Sequence, residues 1–133
     1  MAGDRVFAQM NGLKVGKYVI IDEAPCRVVS MDKSKPGKHG AAKMRVEAIG
    51  LFDSVKHSLM KSTDADVEVP IVIRKRAQVV SVSGTTAQLM DLASFETFEV
   101  EVPEEMLPEV ESGREIQYME VMGARLLLRV AGE

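Results

Sequence analysis

The sequence predicts an all-β chain built as two small barrels. Three observations carry the prediction. Short β-branched or alternating runs recur at close spacing, separated by turn signals. No stretch reads as a convincing long helix. Burial must be aliphatic, because Trp is absent and four Phe and two Tyr accompany nine Met among 133 residues.

Arg5 to Met10 reads as a first strand or an ordered arm, and Asn11-Gly12 and Val15-Gly16-Lys17 as turns. Tyr18-Val19-Ile20-Ile21 is a β-branched run ended by Asp22-Glu23-Ala24-Pro25, and Cys26 to Met31 resumes as a strand. Met44 to Leu51 begins with half-buried alternation, Phe52-Asp53-Ser54 turns it into Val55 to Lys61, and Val67-Glu68-Val69 is a last short strand. Pro70 has no N–H for strand pairing, which places a domain boundary there, between residues 1–70 and 71–133.

The second half opens with Ile71 to Val82, long enough to bend around a barrel corner, and turns at Ser83-Gly84 into Thr85 to Met90. Thr97 to Val102 alternates apolar with acidic residues. Pro103 to Leu107 reads as one helical turn that Pro108 stops, and Arg114 to Met122 and Ala124 to Val130 close around Gly123. Five strands with a short helical connection fit an OB-type barrel.

Net charge is −3, but residues 1–70 hold 11 Lys/Arg against 9 Asp/Glu and residues 71–133 hold 6 against 11. The acidic second half argues against indiscriminate nucleic-acid binding by the whole chain, and a structured polyanion with one matching site is the expected partner. No apolar run approaches bilayer length and no signal-peptide core follows Met1, so a cytoplasmic protein without membrane association is expected. One cysteine, Cys26, excludes an internal disulfide and multi-cysteine zinc patterns, and reads as a buried small hydrophobe.

The basic surface concentrates in residues 33–43, Lys33-Ser34-Lys35-Pro36-Gly37-Lys38-His39-Gly40-Ala41-Ala42-Lys43. It lies between two strand-like runs and has no apolar periodicity. Pro36-Gly37 and Gly40 shape a turn with Lys38 between them. No acidic residue occurs from Lys33 to Val46, which leaves Lys33, Lys35, Lys38, Lys43 and Arg45 as an unneutralised basic finger. A polyanion would relieve their mutual repulsion and release counterions on binding. Without aromatic residues to stack on bases, the finger is suited to backbone and shape.

Other chemistries fail on spacing. Gly37-Lys38 lacks the upstream Gly, the following Ser or Thr and the helix of a nucleotide-phosphate loop. Neither His39 nor His57 has a Cys or carboxylate at metal-ligand spacing. Glu99, Glu101, Glu104 and Glu105 read as a solvated face, Met90, Met106, Met119 and Met122 as packing, and Arg74-Lys75-Arg76 as solvated strand surface on which Arg74 and Arg76 share a side. No enzyme, metal, cofactor or small-molecule substrate is expected.

Residues Ser34 to Lys43 resemble the hypusination loop of the translation initiation factor 5A family. Tyr18-Val19-Ile20-Ile21, Pro25 to Val29, Val67 to Pro70, Ala77 to Gly84 and Gln88 to Asp91 extend the likeness over essentially the whole chain. Pro36 and Ala41 look like the archaeal form. The resemblance implies an SH3-like barrel followed by an OB-fold. It also implies that deoxyhypusine synthase transfers an aminobutyl group from spermidine to Lys38, giving deoxyhypusine or hypusine. The implied role is that of a factor bound near the ribosomal exit site, touching peptidyl-tRNA and rRNA through Lys35, Pro36, Gly37, Lys38, His39, Gly40, Lys43 and Arg45. Such a factor promotes peptide-bond formation at stalling sequences such as proline-rich ones. The alternative is a general RNA-binding module with Lys38 unmodified.

Overall fold

The computed structural model describes residues 4–34 and 42–130. The chain divides into two compact units, Met1–Ile71 and Val72–Glu133. Both are β-structures, and among the described residues the helical segments are two short 3-10 turns, Met10–Gly12 and Glu104–Glu109.

The first unit contains β1 (Arg5–Gln9), β2 (Tyr18–Ile21), β3 (Ala24–Ser34), β4 (Lys43–Gly50), β5 (Lys56–Ser62) and β6 (Asp66–Pro70). Strands β2-β3-β4-β5 form an antiparallel sheet in chain order, and β1 pairs with β6. Alternation in β4 explains the inside and outside of this sheet. Met44, Val46 and Ala48 are buried, while Lys43 and Arg45 between them are exposed. The buried residues join Met10, Val19, Ile21, Cys26, Val28 and Val67 in one aliphatic core. Cys26 is fully buried, as a small hydrophobe in an apolar strand should be, and burial pushes its thiol above the usual range.

Two prolines sit differently from expectation. The turn after β2 is Asp22-Glu23 alone, and Pro25 lies inside β3 opposite Ile20. The β3–β4 ladder begins only at Cys26↔Gly50, so Pro25 has no partner for an N–H to serve on that side, while its carbonyl accepts from Leu51 N at 2.9 Å. Pro70 does not interrupt the ladder. It is the last residue of β6, opposite Arg5, and the following amide, Ile71 N, donates to Asp4 O at 3.0 Å.

The second unit contains β7 (Val72–Ser83), β8 (Thr86–Asp91), β9 (Thr97–Glu101), β10 (Glu115–Val121) and β11 (Ala124–Val130), in the sheet order β11-β10-β7-β8-β9. Register shifts leave one extra residue unpaired in each of two strands, Val80 in β7 and Leu128 in β11, and bend those strands as bulges do. Ala77, Val79, Ala87, Leu89, Val102, Val110, Ile116, Tyr118 and Leu127 form the core. Pro108 does not stop the helical turn, which runs to Glu109. The turn is held by Met106 N to Pro103 O at 2.9 Å and by Val110 N to Met106 O at 3.2 Å, so Pro108 breaks nothing by lacking a donor.

Strands β9 and β11 stand at opposite ends of the sheet order. Arg125 of β11 spans from one to the other: its guanidinium lies 4.0 Å from the centroid of the Phe98 ring and 3.6 Å from Glu96, while Glu120 accepts from its Nε at 3.3 Å.

Candidate nucleic-acid interface

The long hairpin β3–β4 carries the basic finger. Its register pairs Asp32↔Arg45, Lys33↔Met44 and Ser34↔Lys43, so both legs are strand up to that last pair. The residues on which the sequence reading placed most weight, Lys35, Pro36, Gly37, Lys38, His39 and Gly40, lie outside the described residues. What is described is their mounting. Ala42 O accepts from Thr63 N at 3.0 Å, and Thr63 O accepts from Asn11 N at 3.0 Å, so the second leg is tied through the β5–β6 turn to the 3-10 turn after β1. Met44 and Val46 anchor the same leg in the core, 6% and 0% exposed.

The finger's base is less bare than its sequence suggested. Arg45 does have a counter-charge: Glu47, two residues along and on the same face, lies 3.4 Å from its Nη2. Glu47 also takes Lys56 at 3.2 Å and the Ser30 hydroxyl at 3.2 Å, and these contacts, Lys56 foremost, hold its carboxyl below the usual range. An acid-free stretch ending at Val46 hides this partner, because strand alternation makes Glu47 the next neighbour of Arg45 on its face. Lys33 and Lys43 form no ion pair among the described residues.

Strand β5 adds two residues that the sequence reading missed. Lys61 stands opposite Met44 and Met60 opposite Arg45, and Met60 is 59% exposed although apolar. The alternating exposure of β5 is a legible signal, but its register against β4 is not local information. The first unit thus presents Lys43, Arg45 and the exposed Met60 thioether on one face at the base of the finger, a surface able to meet phosphate by charge and ribose or base by dispersion. Lys61, on the face of Met44, donates to Asp66 O at 3.1 Å.

At the opposite end of the sheet, His57 is held between two carboxylates. Its Nδ1 lies 3.1 Å from Asp22 and its Nε2 3.0 Å from Asp53, with the side chain 12% exposed. The bonds to Asp22 and Asp53 raise its pKa. The imidazole spends both nitrogens on the turns β2–β3 and β4–β5. Among the described residues no group of three His, Cys, Asp or Glu side chains is arranged to hold a metal ion.

Comparison with known proteins places these features in a family. The model of the N-terminal domain of translation initiation factor 5A-like proteins matches residues 5–65. Translation initiation factor 5A of Archaeoglobus fulgidus is 54% identical over 92% of this chain and 96% of its own length. The chain belongs to the translation initiation factor 5A family. The Methanocella arvoryzae member is 55% identical over 87% of this chain and 91% of its own length. The solved structure of the Methanococcus jannaschii factor superposes with a TM-score of 0.91 at 41% identity, covering 97% of this chain and 98% of that one. That match gives the two units their fold names, an SH3-like N-terminal barrel and a C-terminal OB-fold, and the archaeal relatives agree with the archaeal-type finger sequence. Family members are translation factors. Among the described residues no helix is long and apolar enough to cross a membrane.

Proposed function

We propose that the chain is a cytoplasmic, ribosome-bound translation factor whose working group is Lys38 carrying a hypusine or deoxyhypusine side chain. The supporting observation is the sequence Ser34 to Lys43 inserted between the paired ends of a hairpin whose legs are anchored in the core. Deoxyhypusine synthase, with spermidine as donor, is the modifying partner in this reading. The added amine lengthens the reach of Lys38 and gives it a second cationic nitrogen. Two such nitrogens bridge phosphate and ribose groups of peptidyl-tRNA and hold its acceptor end in a reactive pose. Orientation of this kind lowers the entropic part of the barrier to peptide-bond formation without donating any reacting group. The factor therefore assists at stalling sequences such as proline runs without being an enzyme itself.

Lys43 and Arg45 engage phosphate at the base of the finger, and the Arg45–Glu47 pair is exposed enough for a phosphate to displace it. Lys35, Pro36, Gly37, His39 and Gly40 complete the contact surface. Intact-mass measurement of the protein from its native source tests the reading. The expected mass exceeds that of the sequence by a polyamine-derived group located on Lys38, and an unmodified Lys38 there reduces the chain to a general RNA-binding module.

A further inference from the structure

The second unit carries a cleft unrelated to the finger. It has a volume of about 600 Å³ and lies where the β8–β9 turn folds against β7, with Arg74, Arg76, Gln117, Leu92, Ser94 and Leu128 on its walls. We propose that this cleft holds one nucleotide of a single-stranded RNA.

The cations come first. Arg74 and Arg76 are alternate residues of β7 and share a side, opposite Met119 and Gln117 of β10. Arg74 forms no ion pair among the described residues. Arg76 lies 3.3 Å from Glu115, but that pair is exposed, 64% and 37%, and a phosphate replaces such a partner at little cost. Two guanidinium forks make a phosphate site of directional donors rather than a diffuse positive patch. Lys75, also on the wall, is engaged by Glu120 at 3.0 Å. Asp91, the wall's carboxylate, already accepts from the Tyr118 hydroxyl at 2.6 Å and from Ala93 N and Ser94 N at 2.8 Å each.

The remaining walls suit a nucleoside rather than a bare anion. Gln117 Oε1 accepts from Arg129 Nε at 3.1 Å, so its free capacity is the N–H₂ donor. Leu92, Ala93 and Leu128 offer apolar surface, and a guanidinium plane accepts a stacked base. The volume falls within the range of small-molecule sites, enough for a nucleotide and far more than a phosphate ion needs. The unit around the cleft is acidic, with 11 Asp/Glu against 6 Lys/Arg from residue 71 onward. A long strand has no continuous basic track there, and this limits the contact to one nucleotide.

The test uses the full-length chain, ¹⁵N-labelled and titrated separately with inorganic phosphate, AMP and a six-nucleotide oligoadenylate. The oligonucleotide is expected to shift the amide signals of Leu92, Ala93, Ser94 and Gln117 saturably. AMP should move the same signals at higher concentration, and phosphate more weakly still. The R74Q/R76Q double variant, altered only at exposed positions, should bind the oligonucleotide at least tenfold more weakly while its other signals stay in place. In wild type the affinity read from the cleft amides alone, plotted as its logarithm against log salt, should have a slope between about −0.7 and −1.4, one to two phosphate contacts on a single strand. Stationary cleft signals, an affinity unchanged in the double variant, or a much steeper slope would overturn the proposal. Phosphate as strong as AMP would make the cleft a simple anion hole, and AMP as strong as the oligonucleotide would make it a free-nucleotide site; either result rejects the RNA assignment.

Discussion

The Tyr118 hydroxyl donates to Asp91 Oδ2 at 2.6 Å, inside a core where Tyr118 is fully buried and Asp91 is 3% exposed. The other Asp91 oxygen accepts from Ala93 N and Ser94 N, so one carboxylate fixes both the β10 tyrosine and the β8–β9 turn. Led by the tyrosine bond, these donors bring the Asp91 pKa down to about 2, while burial and the adjacent charge push the tyrosine up.

Tyr118→Phe should cost about 1.5–3 kcal/mol, the usual value of a buried bond to a charged acceptor. Asp91→Ala should cost at least as much, because it leaves two turn amides and the hydroxyl without their acceptor. A pH effect accompanies this. A carboxyl whose folded pKa lies below its unfolded value contributes stability that is present above about pH 4 and lost as pH falls toward 2. Urea unfolding of wild type and Asp91→Asn across that window should show a smaller acid loss in the variant, the remainder coming from carboxylates such as Glu47 that are also held below the usual range.

The histidine latch of the first unit titrates the other way. With its folded pKa raised, His57 contributes stability that is fully present below about pH 6.5 and lost as pH rises through the folded value. His57→Gln should flatten the pH dependence of unfolding above about pH 6.5. Gly50→Ala should flatten it too, by a different route: a Cβ at Gly50 would collide with Asp53 Oδ1, which displaces the carboxylate from both Val55 N and His57. A pH dependence unchanged in Gly50→Ala would show that Asp53 is not part of the latch.

Lys38→Ala should abolish rescue of translation through proline runs and leave thermal stability within about 0.5 kcal/mol, as for surface changes away from structural features. Rescue equal to wild type in a reconstituted translation assay would remove Lys38 from the mechanism, and a large stability loss would make it a structural residue.

Arg125→Gln should destabilise the second unit by about 1–2 kcal/mol, through the lost ring contact and the weakened bridge to Glu96 and Glu120. Arg125→Lys should recover only part of this, since an ammonium cannot stack on Phe98 and bridge two carboxylates at once. Hydrogen exchange should quicken first in β9 and β11.

Much of the fold was legible because burial here follows a period of two. The alternation of Met44, Val46 and Ala48, and of Phe98 and Val100 between Thr97, Glu99 and Glu101, is written in adjacent letters. The proline positions were not, since whether a missing N–H matters depends on where a neighbouring ladder begins, and that is a tertiary fact. The His57 latch was invisible for the same reason, because Asp22 lies 35 residues away in sequence. The finger was legible as a motif, whereas Glu47 beside Arg45 needed the strand's pleat to be seen. Arg74 and Arg76 are exposed on one side of β7, as their alternation suggested, whereas the β8–β9 turn that borders them is a tertiary neighbour that adjacent letters do not show.

The Asp22-Glu23 turn bears on how this chain could have been written otherwise. Both residues hold a left-handed backbone, at φ 55° and 61°, which non-glycine side chains adopt only at a conformational penalty. A hairpin of this shape is better served by Asn-Gly. Glycine at 23 would relax the turn, but at 22 it would delete the carboxylate that meets His57. The strain at position 22 is therefore the cost of an ionisable latch, and a sequence optimised for turn geometry alone would leave His57 with the Asp53 carboxylate only and weaken its response to pH.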